Sequence, residues 1–415
     1  MSKVTDDPIE VVDHDWNSVR LKYLCEINPN SKLDKFDDDD TIEYVEISSV
    51  NDRGKIENTT SVKFSDAPSR AQRTVEDGDI IVSTVRTYLK AIAKVEDPPE
   101  NLVVSSGFTV LRPKQEIHSE YIWRVLQSNP FINWIVANSE GVSYPAISAS
   151  KLSEMYVPVP NKNKQEKICN IINSNMQPIE SLISASYELL EWIERRRRSL
   201  TEELISEYDG VDDVKLKYVT KMLPGYAFSS ELFSNVNNGT PLLRGINVDV
   251  GETSWEETVY WNTDIDEYSN YLLEPGDIVL AMDRPWVKNG MRIAQLEEED
   301  CPALLVQRVL RIRTTEEILQ EYARILLESL RFKQYFEPIL TGVSVPHISK
   351  SQVGEFRIPL PPIKVQKSIV SEWQKFNSTK GELESEISNL IDTLVEKRQS
   401  FITTAVTGQI DVSDE

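Results

Sequence analysis

The chain has 415 residues, with 45 lysines and arginines against 67 aspartates and glutamates, a net charge of −22 and 40% hydrophobic residues. That length and apolar content point to two or three globular domains and exclude a disordered or fibrous chain. No apolar run approaches the ~18 residues of a membrane span and no apolar signal-peptide core opens the sequence; three scattered cysteines (Cys25, Cys169, Cys301) and three histidines (His14, His118, His347) exclude a disulfide framework and a His-rich metal site, so a soluble, cytoplasmic protein is expected.

The acidic balance bears on solubility and long-range fields, not on what one face carries. The runs Asp37–Asp40 and Glu297–Asp300 read as solvated faces.

In chain order, residues 14–160 form the first predicted globule, with short β-rich runs broken by turn residues. Ile80-Ile81-Val82 follows a Gly78-Asp79 turn and reads as a buried strand. It leads into Ser83-Thr84-Val85-Arg86-Thr87-Tyr88-Leu89-Lys90. Arg86 can fork onto guanine, Tyr88 can stack or bond a phosphate, and Lys90 can neutralise one; the alternative is an exposed loop whose arginine pairs with a nearby acid. Arg70 and Arg73, just upstream, are weaker DNA-contact candidates. A helix is predicted over 119–137. Then comes Gly141-Val142-Ser143-Tyr144-Pro145-Ala146-Ile147-Ser148, in which Ser143 and Tyr144 either face DNA or punctuate the chain before a strand.

Residues 161–208 read as a spacer helix, about 60 Å long from residue 165 to 206 at 1.5 Å per residue. Its apolar residues are Ile168, Ile172, Leu182, Leu189, Ile193 and Leu200. Pro178 should kink it. Arg195-Arg196-Arg197-Arg198 is the strongest basic run, with Glu191, Glu194, Glu202 and Glu203 close by to pair with it.

The pattern then repeats. Val19-Arg20-Leu21-Lys22-Tyr23 returns as Val214-Lys215-Leu216-Lys217-Tyr218, and Gly78-Asp79 as Gly276-Asp277. Gly-Val-Ser-x-Pro returns at Gly342, and Val157-Pro158-Val159-Pro160 returns as Ile358-Pro359-Leu360-Pro361. The second globule spans 212–361 and offers Arg244 and Asn247 on an early strand, then Arg284, Trp286, Lys288 and Asn289 after the strand Ile278-Val279-Leu280. A helix is predicted over 316–337, and His347 reads as a polar loop residue. A second spacer helix, 362–410, carries Ile369, Trp373, Phe376, Leu383, Ile387, Leu390, Leu394 and Phe401 in steps of three, four and seven, the spacing of a heptad seam. The expected fold is α+β: two α/β globules alternating with two long helices that bury their stripes against each other as an antiparallel coiled coil, or else pack onto other chains.

The ordered duplication of globule, Gly-Val-Ser-x-Pro-x-Ile-Ser, apolar-Pro-apolar-Pro and a Gln-opened long helix (Gln165, Gln366) resembles the specificity subunit of Type I restriction–modification systems. The resemblance implies two target recognition domains, each reading one half of a split double-stranded DNA sequence. It implies helices that set the spacing and dock two modification (methyltransferase) subunits, with restriction subunits carrying motor and nuclease. It also implies no catalysis and no cofactor in this chain, so S-adenosylmethionine, ATP and magnesium belong to the partners. The residues agree: there is no GxxxxGK phosphate loop, and Asp283-Arg284-Pro285-Trp286, the nearest approach to a methyltransferase clamp, lacks its second proline. A scaffold that gathers protein partners without DNA is the alternative.

Overall fold

The computed structural model describes residues 16–51, 53–141, 145–206, 213–287, 290–340 and 346–410. The chain divides into two compact units, Met1–Tyr187 with Ile387–Glu415, and Glu188–Glu386. Each unit therefore holds one globule and part of both long helices, which differs from a division into four successive segments.

In the first unit, Ile80–Ser83 sits inside an antiparallel sheet ordered Cys25–Ile27, Phe108–Pro113, Ile80–Ser83, Ile92–Lys94. Its unbroken apolar run follows from burial on both faces. Ile80 and Val82 pack with Tyr121, Leu126 and Phe131, whereas Ile81 packs with Val45, Val104 and Phe108. A second, mixed sheet is ordered Thr60–Lys63, Thr41–Val45, Leu102–Ser105, Ala71–Thr74. Pro158 of the apolar-Pro-apolar-Pro segment lies in a two-stranded ribbon, Tyr156–Val159 against Asn17–Arg20, where a missing N–H is tolerated at an edge.

The second unit repeats this plan. Ile278–Ala281 is central, with Ile278 and Leu280 in one cluster and Val279 and Ala281 in another, and Arg357–Pro359 pairs with Asp213–Lys215. The α+β expectation holds. Each predicted globule helix is in fact two: Ser119–Gln127 and Asn129–Ala137, then Gln320–Glu328 and Leu330–Leu340. Ser128 and Ser329 are extended, and each turns its hydroxyl back onto the carbonyl three residues earlier, which ends the first helix.

The long helices are Lys162–Ser206, continuous through Pro178, and Ile363–Val406. In the second unit Glu194 meets Lys380 at 3.6 Å, while Ile205 shares a cluster with Ile369, Val370 and Trp373; the helices there run antiparallel. The seam differs from the expected one. Ile168, Ile172, Ile193, Leu200, Ile369, Trp373, Ile387 and Leu394 are buried, and Phe376 and Phe401 are partly so. Leu182, Leu189, Leu383 and Leu390 are exposed. In the first unit Ile179, Ile183 and Ser186 are also buried, and Ile391 and Arg398 join Ile387 and Leu394 on the other helix. Counting apolar residues skips Ser186 and Arg398, so it slides one residue onto the neighbouring leucines. Arg398 is tolerated inside because Glu180 accepts from it at 3.0 Å.

Each globule packs on its helix through a shared apolar cluster and is pinned there by one buried amide. Gln165 Oε1 accepts from the His118 N–H and its Nε2 donates to the Pro160 carbonyl; Gln366 does the same with Leu319 and Pro361, at 2.8–2.9 Å throughout.

Candidate nucleic-acid interface

The two candidate loops start from the same local chemistry. Gly78 and Gly276 take positive φ (81° and 89°), which glycine permits, and the next residue turns inward. Asp79 accepts from the Glu76 N–H and from Arg112 Nε and Nη2 at 2.8 and 2.7 Å. Asp277 accepts from the Glu274 N–H and from both Nε and Nη2 of Arg313. These arginines, far along the sequence, fix where each strand, and so each loop, begins.

Beyond the strands, the Arg86 N–H donates to the Pro145 carbonyl and the Arg284 N–H to the Pro346 carbonyl, both at 2.8 Å. The loops are thus anchored alike at this point, with Arg86 and Arg284 equivalent. Both arginines are left-handed (φ 52° and 46°), as is Lys90 (φ 54°). For a residue with a Cβ this costs roughly 1–2 kcal/mol and persists only where surroundings over-determine it, commonly at functional sites. In the first loop those surroundings include Thr84 Oγ1 on the Gly107 carbonyl and the Thr87–Ser139 hydroxyl pair. The prolines of the repeated motif therefore act as fasteners of the loops.

The predicted contact residues separate into groups. Arg86, Tyr88 and Lys90 are exposed together on the first loop, and Arg284 is exposed on the second. Arg70 is exposed nearby; Arg73 is half-buried, its Nε without a hydrogen-bond partner, and burial lowers its pKa. Arg244 is half-buried and donates to the Glu257 carbonyl. Two candidates are corrected. Asn247 is buried, accepting from the Arg244 N–H and donating to the Ser254 carbonyl, so its amide shapes the turn. Trp286 packs against Phe332 and Phe336, ring centroids 6.2 and 5.7 Å away, and belongs to the core edge. Ser143, Tyr144, Lys288 and Asn289 lie outside the described residues.

One feature escaped sequence reasoning. A cavity of about 420 Å³ in the first unit is lined by Arg53, Lys90, Arg124 and Arg398 together with Glu180 and Glu396. It extends the basic character of the first loop toward the helices. Nothing local in the sequence joins these residues.

The arginine run is used in the fold. Arg196 pairs with Glu203, Arg197 with Glu194 and Glu328, and Arg198 with Glu194. Burial works to raise the Glu194 carboxyl, but Arg197, Lys380 and Arg198 together hold it below its ordinary range. Burial pushes the Cys25 and Cys169 thiols up to about 12, which makes poor nucleophiles. Among the described residues no group of three or more His, Cys, Asp or Glu is placed to hold a metal, and no helix is long and apolar enough to cross a membrane.

Comparison with known proteins adds the following. A family model described as the Type I restriction modification DNA specificity domain matches residues 13–186 and 209–393. The Type I restriction enzyme EcoAI specificity subunit of Escherichia coli is 33% identical over 177 residues, covering 42% of this chain and 30% of that subunit. The MjaVIII specificity subunit of Methanocaldococcus jannaschii is 25% identical over 332 residues, 75% of each chain. A solved chain from work on complex assembly and conformational transition of the type I R-M system has the same fold, with a TM-score of 0.69 at 21% identity over 96% of this chain and 99% of that one.

Proposed function

Because this chain belongs to the Type I restriction–modification DNA specificity family, we propose that it reads a bipartite double-stranded DNA target, one half-site per globule. The observation that carries this reading is the pair of matched loops holding Arg86 and Arg284 exposed in the same strained conformation. An arginine so held can fork onto guanine O6 and N7, while Lys90 meets phosphate. Base readout at few positions also suits a chain of net charge −22, whose non-specific attraction to DNA is small.

The long helices act as the ruler between half-sites and as the dock for two modification subunits. Support comes from leucines left outside the seam. Leu182 and Leu383 are equivalent in the repeat, as are Leu189 and Leu390; the first unit thus presents Leu182 and Leu390, and the second Leu383 and Leu189. Exposed leucines that recur at equivalent places in the two units suit two copies of one partner. The chain itself is non-catalytic and needs no cofactor. S-adenosylmethionine, ATP and magnesium serve the modification and restriction subunits, in the cytoplasm.

The test is to map methylated adenines in a host carrying and lacking the gene. One split motif should vanish with the gene. An unchanged methylation pattern, with the subunit assembled on its modification partners, would overturn the reading in favour of a scaffold that does not read DNA.

A further inference from the structure

The two loops are fastened alike at Pro145 and Pro346 but differ beside those points. In each, the residue before the arginine bridges antiparallel to the residue after the proline: Val85 to Ala146, and Asp283 to His347. The first pair is apolar. In the second, His347 Nδ1 lies 2.6 Å from Asp283 Oδ1, with Arg308 Nε 3.6 Å from the other carboxylate oxygen.

A second difference lies where each loop rejoins its sheet. The Ser83 N–H donates to the Ala91 carbonyl and the Ala281 N–H to the Arg292 carbonyl, so Ala91 and Arg292 are equivalent. The Arg292 guanidinium donates to the carbonyls of Val248 at 3.0 Å, Asp283 at 3.4 Å and Gly245, and its backbone N–H donates to Pro285. One side chain thereby ties the loop bearing Arg284 to the turn bearing Arg244. The second loop also has more to restrain: ten residues separate Ala281 from Arg292, against seven between Ser83 and Ala91. A longer closed segment has more conformational freedom to lose.

We propose that Arg292 and the Asp283–His347 pair are positioning residues for base readout by the second globule alone, holding Arg284 where it can meet a base edge. Val85, Ala146 and Ala91 leave the first globule's loop to be held by its shortness and neutral hydrogen bonds. This rests on the reading that each globule reads its own half-site.

The experiment uses the full chain assembled with its modification subunits. It measures affinity for the cognate duplex and for duplexes with the first or the second half-site scrambled. His347→Ala and Arg292→Ala should each cut discrimination at the second half-site roughly tenfold, the scale of one lost base contact, and leave the first unchanged. Asp283→Val combined with His347→Ala installs the first globule's apolar pair in the longer loop and should stay at the loss of His347→Ala alone, with thermal stability unchanged, because both variants remove the same interaction. His347→Gln, smaller in its disturbance, should fall between. Equal loss at both half-sites, no loss at either, or full recovery in the double variant overturns the proposal while DNA reading stands. A wild-type complex that discriminates at neither half-site overturns the underlying reading instead.

Discussion

Arg112 grips the buried carboxylate of Asp79 through two parallel hydrogen bonds, 33 residues along the chain, and so sets the point at which the loop bearing Arg86 leaves its sheet. Removing the arginine leaves an ionised group in the core with one backbone N–H for company. Arg112→Ala should cost about 3 kcal/mol, the low end for breaking a buried pair since Arg112 itself reaches solvent. Arg313→Ala should do the same to Asp277. Urea unfolding of each variant checks this; a loss below about 1 kcal/mol would mean that water reaches the carboxylate.

The strained backbone at Arg86 allows side chain and conformation to be separated. Arg86→Ala should lose ~1–3 kcal/mol on the cognate half-site and relax its sequence preference. Arg86→Gly accepts φ of 52° without strain, so it should lose the same readout while leaving stability equal or higher. If both variants weaken cognate and scrambled DNA alike, Arg86 is a phosphate contact.

Much of this was legible before any coordinates. The duplicated motifs delimit two globules, and the Gly-Asp turns announce the central strands at Ile80 and Ile278, because a fully buried strand must be apolar throughout. Other features were hidden for physical reasons. The seam holds Ser186 and Arg398, so hydrophobic counting alone lands on Leu182 and Leu390. The break at Ser128 depends on a hydroxyl competing for a carbonyl, while the apolar spacing runs straight across it. Left-handed arginines cannot be foreseen from residue type, since propensity argues against them. Among the site candidates, Asn247 and Trp286 have the right chemistry for DNA but spend it on the turn and the core.

The displaced leucines make a docking prediction. Leu182→Asp with Leu390→Asp should release one modification subunit, and Leu383→Asp with Leu189→Asp the other, each leaving thermal stability nearly unchanged because the side chains are exposed. Native mass measurement should then find complexes with one such subunit instead of two. Retention of both subunits in either double variant would place docking elsewhere.

The ruler is tested at the unit boundary. One heptad inserted after Tyr187 and another after Glu386 leaves the pairs Glu180–Arg398 and Glu194–Lys380 intact within their own units. Each helix lengthens by about 10 Å, so the preferred spacer should grow by about three base pairs at ~3.4 Å each. Methylome mapping reads this directly, and an active variant with its original spacer rules the ruler out.

The thiols give a pH prediction. With folded-state pKa values near 12, Cys25 and Cys169 stay protonated at pH 8, and their thiolate fraction should rise only far above it. Iodoacetamide should therefore label them slowly in the native protein at pH 8 and quickly in urea, where thiols return to about 8.5. Rapid native labelling would show that the core around the first globule opens readily.

Gln165 and Gln366 hydrogen-bond to main-chain groups: the N–H of residue 118 or 319, a carbonyl of the proline strap at 160 or 361 and, for Gln366, the Glu317 carbonyl. A socket built on peptide groups is indifferent to the side chains it receives. Substitutions in a globule away from the apolar packing of Tyr121 and Leu126 on Ile168 and Ile172 therefore leave this part of its attachment unchanged.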